Sequence, residues 1–329
     1  MGAAPAVAAG VFALTIVLAL PLALTMRGLL QSHLGSSLVA ADVARGVNND
    51  WWQEFTSHAA AAGTGSLGTT FSPTIIGVAA SLDNIGSILD GQAEIVPVAG
   101  ALAVYLAGWT LLVGGIIDRY ARQRPTRAYG FFAASGVNFF RLLRLAVVSG
   151  IVYWWLFAYV HRWLFSEWYV AQTRGMSVER DAFIWRVALY AGFGLLLISA
   201  NMLFDYAKVR LVVEDRRSAL GALSASARFL ARHPRRAIGL YALNGLTFLA
   251  VLAVWALIAP GADGGGFSIW LAFLAGQLYV LARLLLKLQF LASQIALFQS
   301  SLAHAAYTAA PAPAWPESPA AELIAPPSR

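Results

Sequence analysis

The residues that could do chemistry fall into a few sets. Asp50, Glu54 and His58 recur at i, i+4 and i+8. On a helix such positions share one face, so two carboxylates and an imidazole would project together. That donor set suits Zn²⁺ or Mn²⁺, with His33 or Asp42 close in sequence as a further ligand. The competing reading is a solvated acidic face, and no HExxH pattern fixes a metal geometry. A second set is Asp118, Asp205, Arg283 and Lys287, charges placed inside or at the ends of long apolar runs. Charges in such places mark substrate or ion pathways, or pair with one another. Long basic side chains can also reach the interface alone by snorkelling. A third set is arginine-rich: Arg119, Arg122 and Arg124, then Arg228, Arg232, Arg235 and Arg236. Guanidinium groups suit lipid phosphates, although the same charges would serve to orient a membrane protein.

Other chemistry finds little support. The chain has no cysteine, which excludes disulfides, thiolate nucleophiles and Cys-ligated metals. No Ser/His/Asp set converges. Gly192-x-Gly194 follows no strand and no Walker-type loop is present, so a nucleotide site is not indicated. No cofactor is expected. Asn201, Asn244 and Gln277 sit within apolar runs and suit hydrogen bonds between helices.

The elements that must carry these residues are dictated by composition. The 329 residues are 59% hydrophobic and 12% charged, against roughly 45–50% and 25% in ordinary soluble domains. Lipid is the natural solvent for that excess. About 20 apolar residues cross the hydrocarbon layer. Six stretches qualify, near Ala8–Leu30, Val96–Ile117, Leu145–Leu164, Phe183–Phe204, Ala237–Ala259 and Phe267–Leu288. The expected fold is therefore all-α, a polytopic membrane bundle of about six helices with amphipathic interfacial helices. The first stretch lacks a basic n-region and a small-x-small cleavage site, so it reads as a retained helix and not a signal peptide.

Orientation follows from the basic residues. The connections 118–144 and 205–236 hold 14 of the 23 Lys and Arg, which places both in the cytoplasm. The segment 31–95 carries six acidic residues against Arg45 alone and belongs outside. Six spans then put both termini in the cytoplasm of a cell whose inner membrane holds the protein. The net charge of +7 is thus mainly topological. It favours anionic headgroups on the cytoplasmic side as partners, and no nucleic acid is expected.

Residues 1–30 form the first span. Residues 31–95 carry two amphipathic patterns, one running Val39, Val43, Val47, Trp51, Phe55 and the other Ile75 to Leu89, joined by a Gly/Thr/Ser linker. They predict a small helical cap on the outer face, with Trp51–Trp52 in the headgroup zone; a soluble hairpin is the alternative. Residues 96–308 form a five-helix bundle with two basic amphipathic surface helices, Ala128–Phe140 and Ser218–Leu230. The loops around them look alike: Asp118-Arg119-Tyr120-Ala121 against Asp205-Tyr206-Ala207-Lys208. A duplicated unit of helix, surface helix and helix would explain this, as in transporters built from parallel repeats; chance similarity in an Ala/Arg-rich chain is the competing explanation. The glycines at 108, 114, 115, 192, 194, 239 and 245 would let helices approach closely. His161 and Arg162, with Trp154, Trp155, Trp163 and Trp168, read as an interfacial belt. Residues 309–329 form a Pro/Ala-rich tail expected to be disordered and able to engage a protein partner.

The run Val212-Val213-Glu214-Asp215-Arg216-Arg217-Ser218-Ala219-Leu220-Gly221-Ala222-Leu223, then Arg228-Phe229 and Arg232-His233-Pro234, resembles a group of uncharacterised bacterial multi-pass membrane proteins. More remotely it looks like the membrane domain fused to some glycerophosphodiester phosphodiesterases. The likeness covers about 97–305 in architecture and about 205–240 in distinctive residues. Asn49-Asp50-Trp51-Trp52 and the tail from Pro313 to Pro319 share it. No catalytic domain of the phosphodiesterase kind accompanies these residues, so the resemblance implies no hydrolase activity. The expected function is a non-enzymatic accessory or scaffold, or a lipid-interacting bundle. The alternatives are a permease for a small or lipid-like substrate, signalled by a polar cavity near Asn201, Asn244 and Gln277, and a membrane-embedded enzyme.

Overall fold

A computed structural model describes residues 5–34, 39, 50–51, 54, 99–122, 128–258 and 267–304. Every regular element among them is helical. In chain order these are α1 (Pro5–Leu34), α2 (Ala99–Arg122), α3 (Ala128–Trp155), two π-helical turns (Leu156–His161 and Trp163–Trp168) and α4 (Tyr169–Thr173). Then come α5 (Glu179–Val213), α6 (Ala219–Arg232), α7 (Pro234–Ile258) and α8 (Phe267–His304). The all-α membrane bundle expected from composition is what forms. Five helices are long and apolar enough to cross a membrane, and the chain is a multi-pass membrane protein. The sixth expected span lies in α1, a helix of 30 residues whose described apolar stretch, Pro5–Pro21, is shorter than the other spans.

Side-chain contacts set the direction of each helix. Gln299 Nε2 donates to the Ala121 carbonyl, and Lys287 lies on the Trp109 ring, so α2 and α8 run parallel in constant register. Tyr153 meets Asn201 while Phe157 meets Phe193, so α3 and α5 are antiparallel. Trp255 stacks on Tyr279 while Tyr241 meets Phe290, so α7 and α8 are antiparallel. The basic ends of α2, α3, α5 and α7 and the C-terminal end of α8 therefore gather on one side, with α6 across them.

The two sides of the bundle are packed differently. Ile117, Leu145, Tyr206, Ala207, Val209, Leu211, Ala222, Ala237 and Phe298 are at most 1% exposed, and all belong to the basic side. The opposite side presents large apolar groups outward, among them Trp154, Phe183, Leu195, Leu257, Phe267 and Leu278. Phe193, Leu156 and Leu252 are buried exceptions there. Outward apolar side chains are what a lipid-facing helix carries. The basic side holds most of the tightly packed residues, while Tyr129, Val137, Phe140 and Leu220 are exposed there as well. Helix length agrees: α5 spans about 52 Å at 1.5 Å per residue, well beyond the roughly 30 Å of hydrocarbon.

Two expectations about this region are corrected. Ala128–Phe140 is not a separate surface helix; it opens α3, and helical structure continues unbroken from Ala128 to Thr173. Nothing between Phe140 and Leu145 stops it, because Arg141, Leu142, Leu143 and Arg144 are all good helix formers. The second stretch does break. Ser218 caps α6, its hydroxyl accepting from the Gly221 N–H at 3.1 Å. At the far end Pro234, which lacks an N–H and disfavours helix at the residue before it, separates α6 from α7. The preceding turn closes as a Schellman motif: Arg216 N–H donates to Leu211 O and Asp215 N–H to Val212 O, with Asp215 left-handed at φ 51°. The strict repeat of helix, surface helix and helix is therefore absent.

The glycines also divide. A Cβ on Gly115 would overlap the Ser135 hydroxyl and come within 2.9 Å of the Phe131 carbonyl; one on Gly114 would sit 3.0 Å from Asn138 Cβ. These two let α2 and α3 touch. Gly108 meets only the Leu14 side chain. Gly192, Gly194, Gly239 and Gly245 face open space among the described residues, so close approach is not their role.

Candidate functional site

Asp205 is the centre of the polar network in the bundle. It lies on α5 one turn after Asn201, so both side chains share a face. Its Oδ2 accepts from the Tyr241 hydroxyl at 2.6 Å, from Asn201 Nδ2 at 3.3 Å and from Gln294 Nε2 at 3.3 Å. Its Oδ1 forms an ion pair with Lys208 Nζ at 2.8 Å. Asn201 also donates to the Tyr241 oxygen at 2.6 Å, and Tyr153 donates to Asn201 Oδ1 at 3.5 Å. One carboxylate thus ties α5, α7 and α8 together, and the amide extends the network to α3. The Asp205 side chain is 15% exposed. A charge so placed is tolerated because its oxygens are satisfied.

Arg283 and Lys287 approach from α8, one turn apart. Lys287 Nζ sits 3.6 Å from the Trp109 ring centroid and donates to the Tyr105 hydroxyl at 3.3 Å. Tyr105 and Trp109 are themselves four apart on α2, so the ammonium rests in an aromatic cradle. Arg283 lies over the Tyr279 ring at 5.6 Å. The pairings expected from sequence, Asp205 with Arg283 or Asp118 with Arg283, do not form. Each carboxylate takes the nearest cation on its own helix: Asp205 takes Lys208, and Asp118 takes Arg122 Nε at 2.7 Å. Arg283 and Lys287 have no carboxylate partner among the described residues.

These groups surround a cavity of about 450 Å³. Asn201, Asp205, Lys208 and Tyr241 line it from one side, Arg283, Lys287 and Gln294 from another, and Trp109 and Val113 from α2. Its volume lies in the roughly 300–1,000 Å³ range of small-molecule sites. Three cations against one carboxylate leave a cationic lining. Trp109, Val113 and Lys208 also line a second cavity of about 330 Å³ between α2, α3 and α5. That neighbour is walled by Leu106, Leu142, Leu145, Gly150, Tyr153 and Phe204, and is mostly apolar. The adjoining spaces form a cationic chamber beside an apolar groove, suited to an anionic amphiphile.

Some sequence candidates lie elsewhere. Asn244 is buried and donates to Ser293 at 2.9 Å, the expected bond between helices. It does not line the cavity, and neither does Gln277. Arg228 and Arg232 are exposed on α6, where they line a separate cleft with Arg210 and Arg216. Arg235 and Arg236 are exposed on the first turn of α7. Arg119 and Arg122 end α2, and Arg124 lies outside the described residues. Asp50 and Glu54 are exposed while His58, with most of the expected outer cap and the whole tail 309–329, lies outside the described residues. Trp51 is buried. His161 is half-buried against the rings of Phe157, Phe165 and Phe193, and Trp154, Trp155 and Trp163 beside it are exposed.

Tyr105, Trp109, Tyr241 and Gln294 are the site residues that sequence reading missed. The i, i+4 spacing of Tyr105 with Trp109 was a legible signal for a shared face; Tyr241 and Gln294 carried none beyond being polar in apolar runs. No family model, curated protein or solved structure matches this chain.

Proposed function

We propose that this chain is a non-enzymatic multi-pass protein of the bacterial inner membrane that holds an anionic lipid, as an accessory or scaffold bundle. The observation that carries the reading is a pair of neighbouring cavities: Lys208, Arg283 and Lys287 line one, and the other is an apolar groove that shares Trp109 and Lys208 in its lining. A phosphodiester headgroup would sit among the cations and an acyl chain along the groove. Lys287 favours this because it lies on aromatic rings and forms no ion pair with a carboxylate among the described residues. The basic ends of the helices support a cytoplasmic position for both termini. The lipid-facing half then occupies the bilayer, and the cavity opens at the depth of the inner-leaflet headgroups.

A permease for a small polar substrate is the second reading. The Asn201, Asp205, Tyr241 and Gln294 network on the cavity wall favours it, since polar groups from several helices converge there. Titration of the full chain in neutral detergent with short-chain phosphatidylglycerol and phosphatidylcholine separates the readings. Lipid holding predicts that phosphatidylglycerol binds and that R283Q/K287Q weakens it at least tenfold. Equal affinity for both lipids, unchanged in the double variant, would refute it. Orientation is tested by a single cysteine introduced as Arg217→Cys: labelling from outside intact cells would contradict the cytoplasmic assignment.

A further inference from the structure

The basic side holds a second cleft, of about 250 Å³, that the lipid-holding site does not use. Arg210, Arg216, Arg228, Arg232 and His233 line it, with Phe229. Glu214 is the only carboxylate bound to any of these arginines among the described residues. It takes Arg210 at 2.8 Å and also Arg216. Arg210 is fixed further by a hydrogen bond to the Ala225 carbonyl and by lying over the Phe298 ring. It is thus a pre-positioned guanidinium, only 14% exposed. Arg228 donates to the Ser224 carbonyl at 3.3 Å, which leaves its charge uncompensated. Arg232 has neither carboxylate nor hydrogen-bond partner among the described residues. Four guanidinium charges against one carboxylate leave three in excess. The ring of His233 is held against Phe229 at 5.1 Å, and its Nδ1 is buried without a hydrogen-bond partner among the described residues.

Such a cleft is built for an anion carrying more than one charge. Guanidinium groups bind phosphate oxygens through paired N–H donors. A phosphomonoester presents three terminal oxygens and about −1.5 to −2 charges at neutral pH, whereas a phosphodiester presents one charge. We propose that this cleft binds a terminal phosphate group of two negative charges, separate from the intramembrane cavity. The group comes either from a lipid whose headgroup is a bare phosphate or from free phosphate, and the position of α6 across the basic side leaves both able to reach it.

The test uses the full chain in neutral detergent carrying R283Q/K287Q, so that the intramembrane cavity does not contribute. It is titrated with short-chain phosphatidic acid and, separately, with inorganic phosphate. One equivalent of phosphatidic acid is expected to bind. Adding R228Q/R232Q should weaken it at least tenfold, and R228K/R232K should weaken it less, since lysine keeps the charge but not the paired donors. Both arginines are exposed, so unfolding temperature should match the parent. Inorganic phosphate binding as tightly as the lipid would support free phosphate as the ligand; binding of the lipid alone would support the headgroup. The proposal is overturned if neither probe binds, if R228Q/R232Q leaves affinity unchanged, or if phosphatidylglycerol binds as tightly as phosphatidic acid.

Discussion

The basic side and the lipid-facing side of the bundle are made from the same helices yet behave as different materials. On the basic side Phe298, Tyr206 and Ile117 are fully enclosed, and the carboxylates Asp205 and Glu214 are paired. On the other side Phe267, Phe183 and Leu257 point outward with exposures of 75%, 65% and 87%. Water drives apolar groups inward on the first side. In lipid that drive is missing, so close packing is sparse and apolar groups stay on the surface. The cavity and its cations lie where the two regimes meet. A lipid headgroup needs that boundary, since it offers charge on one side and hydrocarbon on the other.

The contrast can be broken residue by residue. Phe298→Ala removes a ring that packs on Phe229 and carries Arg210, and should cost about 4 kcal/mol. Phe267→Ala, measured like Phe298→Ala by denaturant titration, should cost under about 1 kcal/mol, since its ring meets lipid in either case. Asp205→Ala strips the acceptor from Tyr241, Gln294 and Lys208 and should cost about 3 kcal/mol. Asp118→Ala loses one ion pair to an Arg122 that is 70% exposed, and should cost under about 1 kcal/mol. If the two aspartates proved equal in thermal unfolding, the network around Asp205 would not be structural. Gly115→Ala should cost about 2 kcal/mol through overlap with Ser135 and Phe131, while Gly192→Ala should be neutral or slightly stabilising. At the cap, Ser218→Ala should cost about 1 kcal/mol and loosen α6 without moving the bundle.

The fold class and the positions of the spans were legible because hydropathy and length act locally. The register of the site was less so. Asp205, Arg283 and Lys287 were visible as odd charges in apolar runs, and the structure does bring all of them to one cavity. Their partners were not visible. Lys208 outcompetes Arg283 for Asp205 because it lies three residues along the same helix, whereas the aromatic cradle of Lys287 comes from a helix 178 residues away at Trp109. The two amphipathic stretches show the same limit. Ala128–Phe140 and Ser218–Leu230 have similar patterns, yet only the second is a separate helix. The difference was a single residue, Pro234, whose effect on the chain outweighs the pattern before it.

The most direct measurement of the central claim is native mass spectrometry of the full chain released from gentle detergent, comparing wild type with R283Q/K287Q. The account predicts that wild type retains an anionic phospholipid and that the double variant loses it while folding normally. Retention of the same lipid by both proteins, or of zwitterionic lipid in its place, would contradict it.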